Sequence, residues 1–193
     1  MINYTTRLDK AIRRAAWAHE QAGQHRKGTD IPYIIHPVGV MMIASNVTDD
    51  EDILIACLMH DVIEDVDSNI YSETDMRKEF GDRVVDIVKD VTKDESATDW
   101  HDRSKAYLQH LLEKASDEAV IVSAADKLHN LQSTLSDHEI VGDDIWQRFA
   151  TKSSQDQLWW YESILETIAK RHAPELLIQM LSNLVSDLRT RIA

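Results

Sequence analysis

The sequence predicts an all-α protein, and three observations carry that prediction. Apolar residues recur at helical rather than alternating spacing along almost every long segment. Glycine and proline are scarce, 5 and 3 among 193 residues, so few positions interrupt those segments. Hydrophobic residues make up 43% and charged residues 28%, enough to bury a real core and too apolar for a disordered chain. The length suits one domain over residues 1–193, with the helices from 142 onward packed on it.

Taken in order, Leu8, Ile12, Ala15, Ala16 and His19 form the face of a first helix that ends in the polar loop 23–30. Pro32 and Pro37 bracket residues 33–36, which are predicted to be extended until a helix starts near Pro37. Acidic residues 49–52 begin the next helix; its body, 53–66, is apolar on nearly every side for two turns and belongs at the centre of a bundle. Ser72, three residues before Asp75, suggests a capping box, and Gly81 a stop. Val84, Ile87, Val88 and Val91 mark another amphipathic helix, and residues 92–102 a polar loop. Tyr107, Leu108, Leu111 and Leu112 begin the last part, followed by helical patterns over 119–135, 146–171 and 174–191.

Thirty-four acidic side chains against 21 basic leave a formal charge of −13, which argues against a nucleic-acid binder but permits a small anionic ligand wherever charge is locally reversed. The single cysteine, Cys57, lies in the apolar run 53–59, fitting a reducing, cytoplasmic compartment. That run is far shorter than the roughly 20 residues a membrane span needs, and the N-terminal stretch has no signal-peptide pattern, so no membrane association is expected. Oligomeric state is open.

Chemistry concentrates in three places. His60-Asp61-Val62-Ile63-Glu64-Asp65 ends the buried helix, with Glu64 and Asp65 each four residues after His60 and Asp61 and all four expected on one face. Charges buried beside Ile55, Leu58 and Met59 need compensation, which a metal ion would supply. The dipeptide alone is weak, because His-Asp recurs at His101-Asp102 in a polar stretch; only the apolar turns before it distinguish the first copy. A second polar set, Ser123 to Asn130, lies between Val120-Ile121-Val122 and Leu131, with Asp126, Asn130 and Ser133 on one helical face. With His36, which as a lone histidine could equally be a packed core residue, two imidazoles and two carboxylates suit Mn, Fe, Co or Zn better than Mg or Ca. Third, Arg26 and Lys27 reverse the charge locally and could bind phosphates or simply form a solvated loop. In Trp159-Trp160-Tyr161, core packing competes with stacking on a nucleobase.

Gly23-Gln24-x-Arg26-Lys27 with Pro32-Tyr33-Ile34-x-His36-Pro37, then His60 to Asp65, then Ala125-Asp126-Lys127-Leu128-His129-Asn130-Leu131 together resemble the hydrolase domain of the RelA/SpoT family, across residues 15–135. A chain this short is most similar to a stand-alone small alarmone hydrolase of the HD superfamily. The resemblance implies a compact multi-helix HD bundle with a central Mn²⁺, or another divalent transition metal, held by His36, His60, Asp61 and Asp126. It implies Glu64 and Asp65 as the pair that orients and activates water, and Arg26, Lys27 and Asn130 as substrate contacts. The implied reaction removes pyrophosphate from the 3′ position of a guanosine 3′-diphosphate 5′-di- or triphosphate. Two departures, a loop 28–31 one residue longer than in the long bifunctional enzymes and Gln132-Ser133 where those often have Arg-Thr, leave guanine against adenine open. Rival readings are another HD nucleotide phosphohydrolase and a metal-bearing sensor that binds an alarmone without hydrolysing it.

Overall fold

The computed structural model describes residues 3–93 and 99–193. The described residues form α-helices and one 3₁₀ segment: α1 Thr6–Gln21, α2 Ile35–Ala44, α3 Glu51–Met59, α4 Val62–Asp65, α5 Glu73–Phe80, α6 Asp82–Val91, α7 Trp100–Glu113, α8 Asp117–Val141, the 3₁₀ segment Gly142–Arg148, α9 Ser154–Lys170 and α10 Glu175–Arg191. None of these helices is long and apolar enough to cross a membrane.

Local chemistry explains most boundaries. Thr5, Asp50, Asp99, Ser116 and Ser153 each accept a backbone N–H of the helix they precede. Ser72 and Asp75 complete the reciprocal capping box. Gly81, at φ 92, ends α5 and starts α6. The core is continuous: Ile53 to Met59 are all buried, as are Val84, Ile87, Val88 and Val91 of α6. Helix α3 packs against α1, α2, α6 and α8, which places it at the centre, while α9 and α10 pack on α8 and each other.

Four expectations are corrected. Residues 33–36 are not extended: α2 starts at Ile35, and Pro37 sits in its first turn, where its missing N–H leaves no intrahelical bond unmade. The helix expected over 53–66 breaks at His60-Asp61, because the His60 ring Nδ1 lies 2.8 Å from the Cys57 carbonyl and takes the acceptor that the Asp61 amide would otherwise use. The polar stretch 92–102 contains the start of α7 at Trp100; its residues 94–98 lie outside those described. The pattern 146–171 is two elements, with Trp146 in the 3₁₀ segment and α9 starting at Ser154.

Candidate active site

His60 and Asp61 lie between α3 and α4, where α2 and α8 pack on α3. His36 on α2 and Asp126 on α8 are buried against them. The His36 Nε2 lies 3.4 Å from Asp61 Oδ2 and 3.2 Å from Asp126 Oδ1; the His60 Nε2 lies 3.1 Å and 3.7 Å from the same two oxygens. His36, His60 and Asp126 bring their ligand atoms within 4.8 Å of one another, a cluster that could hold a metal ion. The opposite ring nitrogens are engaged elsewhere: His60 Nδ1 with Cys57 O, His36 Nδ1 with His129 Nδ1 at 3.0 Å. His129 in turn lies over Gly39, where any Cβ would collide with its ring, so α2 and α8 approach closely at this level.

The carboxylates are held from behind. Tyr33 donates to Asp61 Oδ2 at 2.7 Å, Asn130 donates to Asp126 Oδ1 at 2.5 Å, and Lys127 pairs with Asp126 Oδ2. Burial alone would raise both acids, yet the facing imidazoles, with Lys127 for Asp126, hold Asp61 and Asp126 well below the usual carboxylate range. Burial opposes an imidazolium at His60, but Asp61 and Asp126 outweigh it and raise that ring well above its ordinary value. Two imidazole nitrogens, one of them the buried His60 Nε2 that makes no hydrogen bond, and two ionised oxygens form a donor set that fits a divalent transition metal.

A cavity of about 530 Å³ opens beside this cluster, within the size range of small-molecule sites. Arg26, Lys27, Lys93, Lys127 and Arg148 bring cations to its wall, and Tyr33, Trp100, Phe149, Trp160 and Tyr161 bring rings. Positive charge is thus concentrated here although the chain is acidic overall. Arg26 also donates to Asn130 at 2.9 Å. Lys93 and Lys127 lie over the Trp160 ring at 4.9 and 5.8 Å. Burial and the neighbouring Lys127 push the Lys93 ammonium down to about 8.

A family model described as an HD domain matches residues 11–155. The chain belongs to the HD-domain family. It is 31% identical to a guanosine-3′,5′-bis(diphosphate) 3′-pyrophosphohydrolase of Aquifex aeolicus over 68% of this chain and 18% of that one. It is 35% identical to the Drosophila melanogaster pyrophosphohydrolase MESH1, over 64% of this chain and 66% of that one. The matches therefore span less than two thirds of these two relatives. A solved structure described as a metazoan ortholog of SpoT that hydrolyses ppGpp superposes with a TM-score of 0.78 at 26% identity, covering 97% of this chain and 98% of the other.

Every residue singled out from the HD sequence lies at or beside this centre, though not all face the same space. His36, His60, Asp61 and Asp126 converge, and Arg26, Lys27, Asn130 and Asp65 line the large cavity. Glu64 lines a smaller neighbouring cavity of about 200 Å³ with Lys93, Trp100, Arg103 and Ser104, and accepts the Lys93 backbone N–H at 3.1 Å. Burial raises Glu64. Asp65 stands at the cavity mouth; desolvation by the surrounding protein, then Asp61 and Glu64, push it up to about 7. Trp160 and Tyr161 line the cavity, while Trp159 packs on Trp100 and His101. Sequence reasoning missed Lys93, Trp100, Arg148 and Phe149; none belongs to a motif or an apolar stripe that would have marked it. The Cys57 thiol is fully buried and raised, unsuited to act as a nucleophile.

Proposed function

We propose that the protein hydrolyses the 3′-pyrophosphate of (p)ppGpp-like nucleotides with a divalent metal, Mn²⁺, held by His36, His60, Asp61 and Asp126. The observation that carries this reading is the opposition of two imidazole Nε2 atoms to two carboxylates at 3.1–3.7 Å, directly beside a cation-lined cavity. The pyrophosphohydrolase names of the relatives point to the same chemistry. With His36 as donor to His129 and His60 as donor to Cys57, both Nε2 lone pairs face the metal position. A divalent ion held there would supply Lewis-acid chemistry, lowering the pKa of a water and polarising a phosphoryl oxygen.

The chain's own residues supply the remainder. Asp65, which lines the large cavity and is pushed up to about 7 by desolvation, then Asp61 and Glu64, accepts the proton of the attacking water, with Glu64, its neighbour in sequence, as the second acid of the pair that orients it. Arg26 and Lys27 hold the diphosphate oxygens on which negative charge accumulates, and Asn130 fixes Arg26 to the wall. Water attacks the phosphorus nearest the ribose; the bond from that phosphorus to the 3′ oxygen breaks, leaving pyrophosphate and a 3′-hydroxyl. One of the cavity's rings, Trp160 or Tyr161, offers a face to the base. We read residues 1–193 as one domain and place it in the cytoplasm, where the free, buried Cys57 stays reduced.

The test is incubation of purified protein and Mn²⁺ with guanine and adenine 3′-pyrophosphorylated nucleotides in ¹⁸O-labelled water. Pyrophosphate carrying the label, with an unlabelled 3′-hydroxyl, is expected. Free phosphate as first product would favour another HD phosphohydrolase, tight binding without turnover would favour a sensor, and label at the 3′-hydroxyl would reverse the bond that breaks.

A further inference from the structure

The loop carrying Arg26 and Lys27 is fastened to α8 at two places. At one, Arg26 itself donates to Asn130. At the other, the link is Arg148, the last residue of the 3₁₀ segment: its Nη1 lies 2.6 Å from Asp137 Oδ2 and donates to the Lys27 carbonyl at 3.3 Å. Asn130 and Asp137 are seven residues apart on α8 and so lie on the same face, two turns along the helix. The next residue, Phe149, places its ring 5.6 Å from the Lys27 ammonium. Gly28 lies under the guanidinium so closely that a Cβ would meet Arg148 Nε at 2.6 Å. The Arg148 side chain is only 20% exposed and lines the large cavity.

We infer that Arg148 and Phe149 form a clamp that holds the Arg26–Lys27 loop in its phosphate-binding position, making Arg148 a positioning residue for the reaction. This rests on the function proposed above. Asp137 anchors the guanidinium, the guanidinium holds the Lys27 backbone, and the Phe149 face steadies the ammonium. Gly28 suits this contact: its φ of 74° disfavours any other residue, and a Cβ there would push the Arg148 side chain off the loop. Both bonds leave one nitrogen, Nη1, which arginine carries one bond farther from its Cα than lysine carries its ammonium, so Arg148→Lys falls short of the two acceptors at once.

Two measurements on Arg148→Ala and Asp137→Ala test the clamp, the second variant freeing Arg148 without touching the loop. In the first, limited trypsin digestion of the metal-free protein reads cleavage after Arg26 and Lys27, independently of activity. Both variants are expected to be cut there about tenfold faster than wild type, as local opening rises. Unchanged cleavage would overturn the clamp. In the second, steady-state hydrolysis of guanosine 3′-diphosphate 5′-diphosphate with Mn²⁺ is expected to show KM raised about tenfold in both variants, with kcat nearly unchanged and Mn²⁺ stoichiometry intact. The double variant should be no worse than either single one, because both break the same link, and Arg148→Lys should not rescue. Unchanged KM, additive losses or full rescue by lysine would overturn the positioning role. If wild type neither binds nor hydrolyses this nucleotide, the functional reading falls and the positioning role with it, while trypsin still decides whether the loop is clamped.

Discussion

The chain contains the dipeptide His-Asp twice, and the two copies have opposite fates. His60-Asp61 follows nine residues of a central helix whose seven residues from Ile53 to Met59 are all buried, and the His60 ring itself breaks that helix by taking the Cys57 carbonyl. His101-Asp102 occupies the first turn of α7, behind the Asp99 cap. His60 meets Asp61 and Asp126 from a buried position; His101 lies half-exposed, 3.4 Å from Asp156, with its ring against Trp100 and Trp159. The same two residue types therefore carry chemistry only where burial forbids solvation and a second carboxylate arrives from a distant helix.

The largest effect should separate the copies most sharply. His60→Ala, Asp61→Ala and Asp126→Ala are each expected to lower kcat/KM by on the order of 10³ or more and to abolish stoichiometric metal binding, with helical circular dichroism retained. His101→Ala and Asp102→Ala should change kcat/KM less than about twofold, as a half-exposed and an exposed position that line neither cavity. Stoichiometric Mn²⁺ in Asp126→Ala would remove that residue from the coordination set.

Next come the two acids that follow only the first copy. Glu64→Gln and Asp65→Asn should each lose about a hundredfold in kcat while keeping the metal, since both replacements preserve size while the first neutralises the acid that orients the water and the second removes the one that takes its proton. Metal loss in Glu64→Gln would place Glu64 in the coordination set instead.

The pH dependence offers a smaller, directional test. Asp65 must be ionised to accept a proton, so kcat/KM rises with pH through a limb at or below about 7, the bound cation favouring the carboxylate and moving the limb down. Lys93 must keep its proton to attract phosphate, so kcat/KM falls as pH rises past about 8. Lys93→Arg, which stays charged, should move that basic limb upward, measured as the ratio of kcat/KM at pH 9 to pH 7.5. A basic limb unmoved by this substitution would assign it to another group.

The smallest expected effect reverses the ranking of the copies. Asp99→Ala removes the cap that precedes His101-Asp102 and should cost about 1 kcal/mol of stability by denaturant unfolding while leaving kcat/KM untouched.

The central helix was legible because an apolar run without a polar face admits no place except the middle of a bundle, and the cap at Ser72 because its partner lies three residues on. The break at His60 was not, because apolar periodicity continues through it and the cause is a side-chain bond to the backbone three residues back. Pro37 misled in the other direction: the restriction it imposes on the preceding residue was outweighed by its suitability for a first turn, and His36 is helical. The four candidate ligands were accessible from motif and order, since each sits in a short polar island within apolar sequence. Lys93 and Arg148 were not, because long cations in polar segments share no period and acquire meaning only when a distant helix brings a cavity to them.

Equilibrium dialysis of Mn²⁺ against wild type, His60→Ala and His101→Ala, run in parallel at one protein concentration, tests the centre of this structure most directly. One ion per chain in wild type and His101→Ala, and none in His60→Ala, is the predicted result. Equal binding by all three proteins, or loss in His101→Ala alone, would contradict it.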